Sequence, residues 1–343
     1  MKPQSTNRRR LTAALLITGI VLALAANVAP RALMPPVAHT IILTFDGTRA
    51  DTFAKLLPRM PAVSELARSG AVGEGTRTLY ARTPEGHSVI FSGAAPEAFG
   101  FSVPATGLSV ETLFDVVAKS GGKSVFVDSK AGRLKGLERS ATVVLNTTNY
   151  ATLPQPEGSL PPVRAFWAEF DRTRPTLSFC LLPLPDSNGH AYGNDTQQYE
   201  DAIVGAGEAV DWLRDHLQAA GLQNRTLLVI TADHGMTGTG HSGTETTNFL
   251  VPLVLSGPGI RPGAIIRGAT TADIAPTVAA LAGLPRPRGA TGKVLSEALI
   301  PRARVALATR KASPVLDGLA VVFLVAGVAL TFSARIGRKE SRN

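Results

Sequence analysis

One cysteine, Cys180, stands among 343 residues, so no disulfide framework can hold this chain together and its thiols say nothing of compartment. No internal repeat is present, which excludes a solenoid or a propeller. No long insertion separates the regular segments either, so there is no separate substrate cap and a central site is expected to be open. Positive charge is scarce through most of the chain. Of a net +9, residues 1–10 carry +4, 301–311 carry +4 and 335–343 carry +3, leaving −2 for everything else. The basic character belongs to the ends, which argues against nucleic-acid binding by the centre.

What the ends do contain is apolar sequence. Residues 11–29 follow Lys2, Arg8, Arg9 and Arg10 and are long enough to match the hydrocarbon thickness of a bilayer. Ala23-Leu24-Ala25 offers small residues for cleavage, so the run reads as an anchor or a signal peptide. Residues 315–333 form a second run, interrupted by Asp317 and followed by Arg335, Arg338, Lys339 and Arg342. Basic residues at both outer ends place both termini in the cytoplasm and the centre on the far side of the membrane, the periplasm if the membrane is a bacterial inner one. The alternative is a pair of apolar helices packed as core. The expected division is a basic tail and anchor or signal peptide over 1–37, a catalytic domain over 38–300, a basic linker over 301–314 and a transmembrane helix with its tail over 315–343.

Between the ends, residues 40–44, 124–128, 177–182, 227–231 and 250–255 read as strands, and 60–69, 83–93, 110–120 and 196–219 as helices. Gly121-Gly122 and Gly221 look like helix stops, and the proline-rich stretch 153–162 like a surface loop. Strands alternating with helices predict an α/β fold whose mainly parallel sheet is sandwiched between helices. About 260 residues suffice for one such core. Cys180 falls inside a strand and reads as a core residue.

The chemistry gathers where those strands end. Residues 227–232 run into Asp233-His234-Gly235, residues 37–45 into Asp46-Gly47-Thr48-Arg49, and residues 178–184 into Pro185-Asp186 with His190 four residues on. A lone Asp-His pair is as often a surface hydrogen bond, and Asp186 before Gly189 reads equally as an Asx turn. Yet three strands each deliver a carboxylate, and His241 follows closely. Asp186, His190 and His241 make a two-histidine, one-aspartate set of catalytic-zinc type. Asp46, Asp233 and His234 make a second. Thr83-Pro84 reads as the N-cap and first residue of a helix, a common structural role. That position also attracts anions, and a metal-held threonine hydroxyl there could attack phosphorus. Arg49 and Asp51 read either as a phosphate contact with its partner or as a surface pair. His87 reads as a buried, hydrogen-bonded histidine supporting the site.

The stretches 44–51 (TFDGTRAD), 83–93 (TPEGHSVIFSG), 185–193 (PDSNGHAYG) and 232–243 (ADHGMTGTGHSG), with Asp273-Ile274-Ala275-Pro276-Thr277 after Gly257-Pro258-Gly259, resemble the alkaline phosphatase superfamily. The resemblance is closest to its type I phosphodiesterase and GPI ethanolamine phosphate transferase branch and spans about residues 38–300. It implies an alkaline-phosphatase-like fold with two zinc ions per chain, or manganese given the carboxylates. It assigns one ion to Asp46, Thr83, Asp233 and His234, the other to Asp186, His190 and His241, and makes Thr83 the nucleophile. Two divalent ions roughly 4 Å apart suit in-line phosphoryl displacement. His241 so close behind Asp233-His234, and Gly86 where nucleotide pyrophosphatases carry Asn, look more like the transferases. Glu85 stands where transferase relatives place Pro, and the long multi-span region of the eukaryotic transferases is missing. The modified Cys or Ser motif of sulfatases is absent at Thr83. The implied reading is a membrane-anchored hydrolase of a phosphodiester or phosphomonoester. The alternatives are a phosphoethanolamine-type transferase acting on a lipid or glycan, and a non-catalytic scaffold. A phosphorylated small-molecule, lipid or glycan substrate and a membrane are the expected partners.

Overall fold

The computed structural model describes residues 4–27, 37–104, 107–130, 132–146, 158–304, 307, 319, 321–323 and 325–326. It divides into a unit from Pro36 to Leu299 and a second made of the two chain ends. In the ends, helix α1 covers Gln4–Asn27. Among the described residues no helix is long and apolar enough to cross a membrane. The run expected at 315–333 lies largely outside the described residues, as do residues 28–29 and residues 153–157 of the 153–162 stretch.

Within Pro36–Leu299, the order is β1 (His39–Phe45), α2 (Ala50–Leu56), α3 (Pro61–Ser69), β2 (Ala71–Glu74), α4 (Thr83–Ser92), α5 (Leu113–Lys119), β3 (Ser124–Val127), β4 (Val143–Leu145), α6 (Leu160–Thr173), β5 (Leu177–Leu182), α7 (Leu184–Tyr192), α8 (Gln197–Ala219), β6 (Thr226–Thr231), α9 (Thr246–Phe249), β7 (Leu253–Ser256), β8 (Ala264–Arg267) and α10 (Ile274–Ala282). The strands form one sheet in the order β4-β3-β5-β1-β6-β7-β2-β8. Among the described strands only β7 runs antiparallel to its neighbours. The central strands are buried along their whole length because helices cover both faces, so they read as continuous apolar runs.

On one face Ile41, Leu43, Phe45, Cys180, Leu182 and Ile230 pack with Val63 of α3, Phe166 and Phe170 of α6 and Val210 and Leu213 of α8. On the other, Phe91 of α4, Phe114 of α5, Phe126 of β3 and Phe179 of β5 meet edge to face, with ring centroids 4.8–5.8 Å apart. Truncating one such ring to Ala costs about 3–5 kcal/mol. The layers are therefore helix, sheet, helix, as the alternation predicts.

Several boundaries differ from expectation. The strand expected at 250–255 is Leu253–Ser256, preceded by the short helix Thr246–Phe249. The 153–162 loop gives way at Leu160 to α6, whose first turn accepts Pro161 and Pro162 because the amides they lack have no partner there. The short strands β2, β4 and β8 were not expected.

Candidate metal centre

The parallel strands deliver their functional side chains at their C-terminal ends, where α/β sheets leave a crevice. Asp46 follows β1 directly, Asp233 and His234 follow β6, and Asp186 sits in the first turn of α7 after β5. A helical turn, rather than an Asx turn, brings Asp186 and His190 to one side. Two glycines permit the close approach. Gly47 has φ +66°, and a Cβ there would stand 2.8 Å from Asp186 Cβ. A Cβ on Gly86 would stand 2.6 Å from the Asp233 carbonyl oxygen, so α4 can lie against the end of β6 only without one.

All seven residues expected at the site come together. Thr83 Oγ1 lies 3.3 Å from His234 Nε2, which is 3.6 Å from Asp46 Oδ1 and 3.3 Å from Asp233 Oδ2. Asp186 Oδ1 is 3.3 Å from His190 Nε2 and 3.7 Å from His241 Nε2. Donor atoms of Asp186, His190 and His241 form one group compact enough for a cation, and those of Asp46, Asp186 and His234 form another. The His234 and His241 rings stack at 3.7 Å.

Each imidazole is oriented the same way. Nδ1 of His234 donates to Gly235 O, that of His241 to Ala81 O and that of His190 to Thr239 O, each at 2.8 Å. This fixes the tautomer that leaves the Nε2 lone pairs facing the carboxylates, as metal-binding histidines are held. Asp46 Oδ1, Asp186 Oδ1 and Asp233 Oδ2 are buried without a hydrogen-bond partner among the described residues. Buried partnerless carboxylate oxygens are costly, and a shared cation satisfies them. The cluster is closed except at His190, whose side chain is 47% exposed.

Lys130, three residues beyond β3, was missed by the sequence reading. Its Nζ lies 2.7 Å from Asp46 Oδ2 and 2.5 Å from Asp186 Oδ2, between the two groups. Burial alone would discharge this ammonium, but Asp46 and Asp186 hold its pKa above the ordinary lysine value. Burial also opposes ionisation of Asp186, yet Lys130, His234 and His190 pull its pKa to about 2. Asp46 goes the other way, raised well above the carboxylate range by complete burial and then by Asp233. The missed signal was Asp128-Ser129-Lys130 at the end of a strand already assigned.

Thr83 is the first residue of α4 and Pro84 the second, with extended Arg82 as N-cap, so the expected N-cap and first-residue pair is displaced by one. The Arg82 carbonyl accepts the first helical bond, from Gly86 N. Arg49 is engaged twice by Asp51, at 2.9 and 2.6 Å, which is the surface-pair reading. His87 is wholly buried, as expected. Its Nδ1 donates to Thr83 O at 2.7 Å and its Nε2 accepts from Thr44 Oγ1 at 2.9 Å, tying Thr83 to β1. Burial lowers its pKa.

The three-layer α/β fold with Asp/His groups at the strand ends is the arrangement that the resemblance implied. Residues 127–274 match the model of the type I phosphodiesterase / nucleotide pyrophosphatase family. Ectonucleotide pyrophosphatase/phosphodiesterase family member 7 of Mus musculus is 32% identical over 101 residues, 29% of this chain and 22% of that protein. The 2,3-bisphosphoglycerate-independent phosphoglycerate mutase of Ruegeria sp. (strain TM1040) is 34% identical over 149 residues, 41% of this chain and 28% of that protein. The chain thus spans about a quarter of these relatives' length. Among solved structures, murine ectonucleotide pyrophosphatase/phosphodiesterase 5 superposes with a TM-score of 0.61 at 14% identity, covering 72% of this chain and 96% of that one. Alkaline phosphatase PafA does so with 0.62 at 13%, covering 78% and 99%.

Proposed function

We propose that this chain is a membrane-anchored phosphoryl-transfer enzyme that hydrolyses a phosphodiester or phosphomonoester through Thr83 and two zinc ions. The observation that carries the reading is the Thr83 hydroxyl, 3.3 Å from His234 Nε2 and at the mouth of a helix, beside carboxylate oxygens that lack partners. Asp46, Thr83, Asp233 and His234 would hold one ion, and Asp186, His190 and His241 the other. Imidazole nitrogens favour zinc, while the carboxylates also accept manganese. Bound ions would neutralise phosphoryl oxygens and favour the ionised form of a ligated hydroxyl.

The chain's own groups do the rest. Thr83 Oγ forms a bond to phosphorus as the bond to the leaving oxygen breaks, and that oxygen takes its proton from solvent. A water oxygen then displaces Thr83 Oγ, which regains a proton. The amides at the start of α4 and the Lys130 ammonium face the anionic group being moved. His87 holds the Thr83 carbonyl and so positions the nucleophile. The basic flanks of the two terminal apolar runs support an anchor with the catalytic unit on the extracytoplasmic side.

The test uses purified protein and bis-p-nitrophenyl phosphate. Metal analysis should find close to two zinc equivalents per chain, and Thr83→Ala should abolish turnover while retaining metal. Full turnover in that variant would overturn the nucleophile assignment, and a metal-free active protein would overturn the centre. A phosphoethanolamine-type transferase is the second reading, favoured by the short reach from Asp233-His234 to His241. Incubation with phosphatidylethanolamine separates the two: diacylglycerol release supports the transferase, and its absence beside diester hydrolysis supports the hydrolase.

A further inference from the structure

Strand register places every chain crossing at one of two ends of the sheet. The starts of β1, β3, β5 and β6 lie side by side, as the pairings of His39 with Thr226, Thr40 with Leu177 and Ser124 with Leu177 show. The end of β7 and the starts of β2 and β8 join them. This end is opposite the candidate metal centre, roughly 20 Å away along seven-residue β1.

The segments leading into those strands are short, and their charge has one sign. Residues 120–123 carry Lys123, 174–176 carry Arg174, 220–225 carry Arg225 and 257–263 carry Arg261, and none of the four segments contains an acid. All four side chains are exposed. Acids flank these segments in the chain, with Asp115 and Asp128 on either side of Lys123, Asp171 paired with Arg174 and Asp215 before Arg225, while the Glu297 backbone oxygen accepts from Arg261. The opposite end holds Asp46, Asp186, Asp233 and Glu245.

The chain also enters and leaves the unit at the basic end. Ala38 N donates to Arg225 O, and Leu299 pairs with Ile260 while Arg261 N donates to Ala298 O. The linkers on either side of the unit are therefore joined to it at this end. We propose that the end bearing Lys123, Arg174, Arg225 and Arg261 is a docking face for an anionic phospholipid surface. Charge complementarity and the attachment of both linkers at this face select that occupant over any other. The metal centre then opens away from the bilayer, toward substrates carried in the aqueous phase. This orientation deepens the proposed hydrolase reading and rests on it, whereas the docking face itself does not.

The full chain is reconstituted into nanodiscs of phosphatidylcholine alone and of phosphatidylcholine with about one-third phosphatidylglycerol, and amide exchange is followed. Segments 120–123, 220–225 and 257–263 should exchange at least about tenfold more slowly on the anionic discs, and the difference should vanish in roughly 0.5 M salt. Each basic residue near such a surface is worth about fivefold in association. Combining Lys123→Gln, Arg174→Gln, Arg225→Gln and Arg261→Gln should remove the protection while leaving hydrolysis of bis-p-nitrophenyl phosphate and the thermal midpoint unchanged. Charge-conserving Lys123→Arg with the three Arg→Lys changes should retain it. Equal exchange on both lipids, protection that survives neutralisation, or protection of 44–49 and 232–243 instead would overturn the docking face. Failure of the chain to stay on either disc in high salt would overturn the anchor reading, a separate outcome from loss of lipid-charge dependence.

Discussion

Lys130 puts a fixed positive charge between the carboxylates of Asp46 and Asp186, where a divalent ion would also bind. A cation this close opposes a second cation and attracts an anion. Lys130→Met should therefore tighten zinc binding at least about tenfold in competition with a chelator, given the strength of charge interactions at such range. It should also weaken inhibition by inorganic phosphate. Looser zinc binding would show that Lys130 instead organises the carboxylates. Tyr199, on α8, acts on the same turn from behind. Its buried hydroxyl donates to Gly47 O at 2.7 Å and accepts from Arg49 N at 3.0 Å, bracketing the turn that starts with Asp46. Tyr199→Phe strands two backbone groups and should cost about 1–3 kcal/mol in denaturant unfolding. A change within error would mean water replaces the hydroxyl. Asp46, Thr83, Asp186, Asp233 and His234 were legible as candidates because each stands at a strand end or in the first turn of a helix, and His190 and His241 because each follows such an aspartate closely. Lys130 and Tyr199 were not, since a lysine and a tyrosine at such positions are ordinary until the fold shows what they face.

The elements found from sequence alone include those with long, uniform patterns, β1, β5, β6 and α8, together with β3 and the helices α3, α4 and α5. β2, β4 and β8 escaped because three or four residues carry too little periodicity to separate a strand from a turn. Helix α5 was expected at 110–120 but begins at Leu113, because Thr112 caps it. The Thr112 side chain accepts from Asp115 N, and Asp115 Oδ2 accepts from Thr112 N in return. Asp115 also receives Arg139 and Ser140. Burial works against its ionised form, yet these donors hold its pKa below the usual carboxylate value. A carboxyl depressed in the folded state adds stability that is complete above its unfolded pKa, near 4, and is lost as pH falls through the folded value. Asp115→Asn should thus cost about 1–3 kcal/mol at pH near 7, and the gap to the parent should narrow below about pH 4. Urea unfolding at both pH values measures it, and a constant gap would refute the ionic contribution.

At the scale of the whole unit, four strands and α4 converge on one cluster of partnerless carboxylates, so the site opposes the fold that builds it. Asp46 and Asp233 are fully buried with Asp186 beside them, and among the described residues the Lys130 ammonium and the Gly47 amide offset that arrangement. Ligands that bind only the folded state add stability by mass action, about 2.7 kcal/mol at a hundredfold excess over the dissociation constant. Metal removal should therefore lower the thermal midpoint by roughly 5–10 °C. The same reasoning fixes the sign for a site variant. Asp46→Asn replaces a carboxyl whose ionised form burial and Asp233 oppose, so the metal-free protein should melt above the metal-free parent, while its gain on adding zinc should nearly disappear. Calorimetry of both proteins, with chelator and with zinc, reads the two effects separately. If Asp46→Asn instead lowered the metal-free midpoint and kept the zinc gain, Asp46 would be a structural partner of Lys130, and the two-ion centre would have to be built without it.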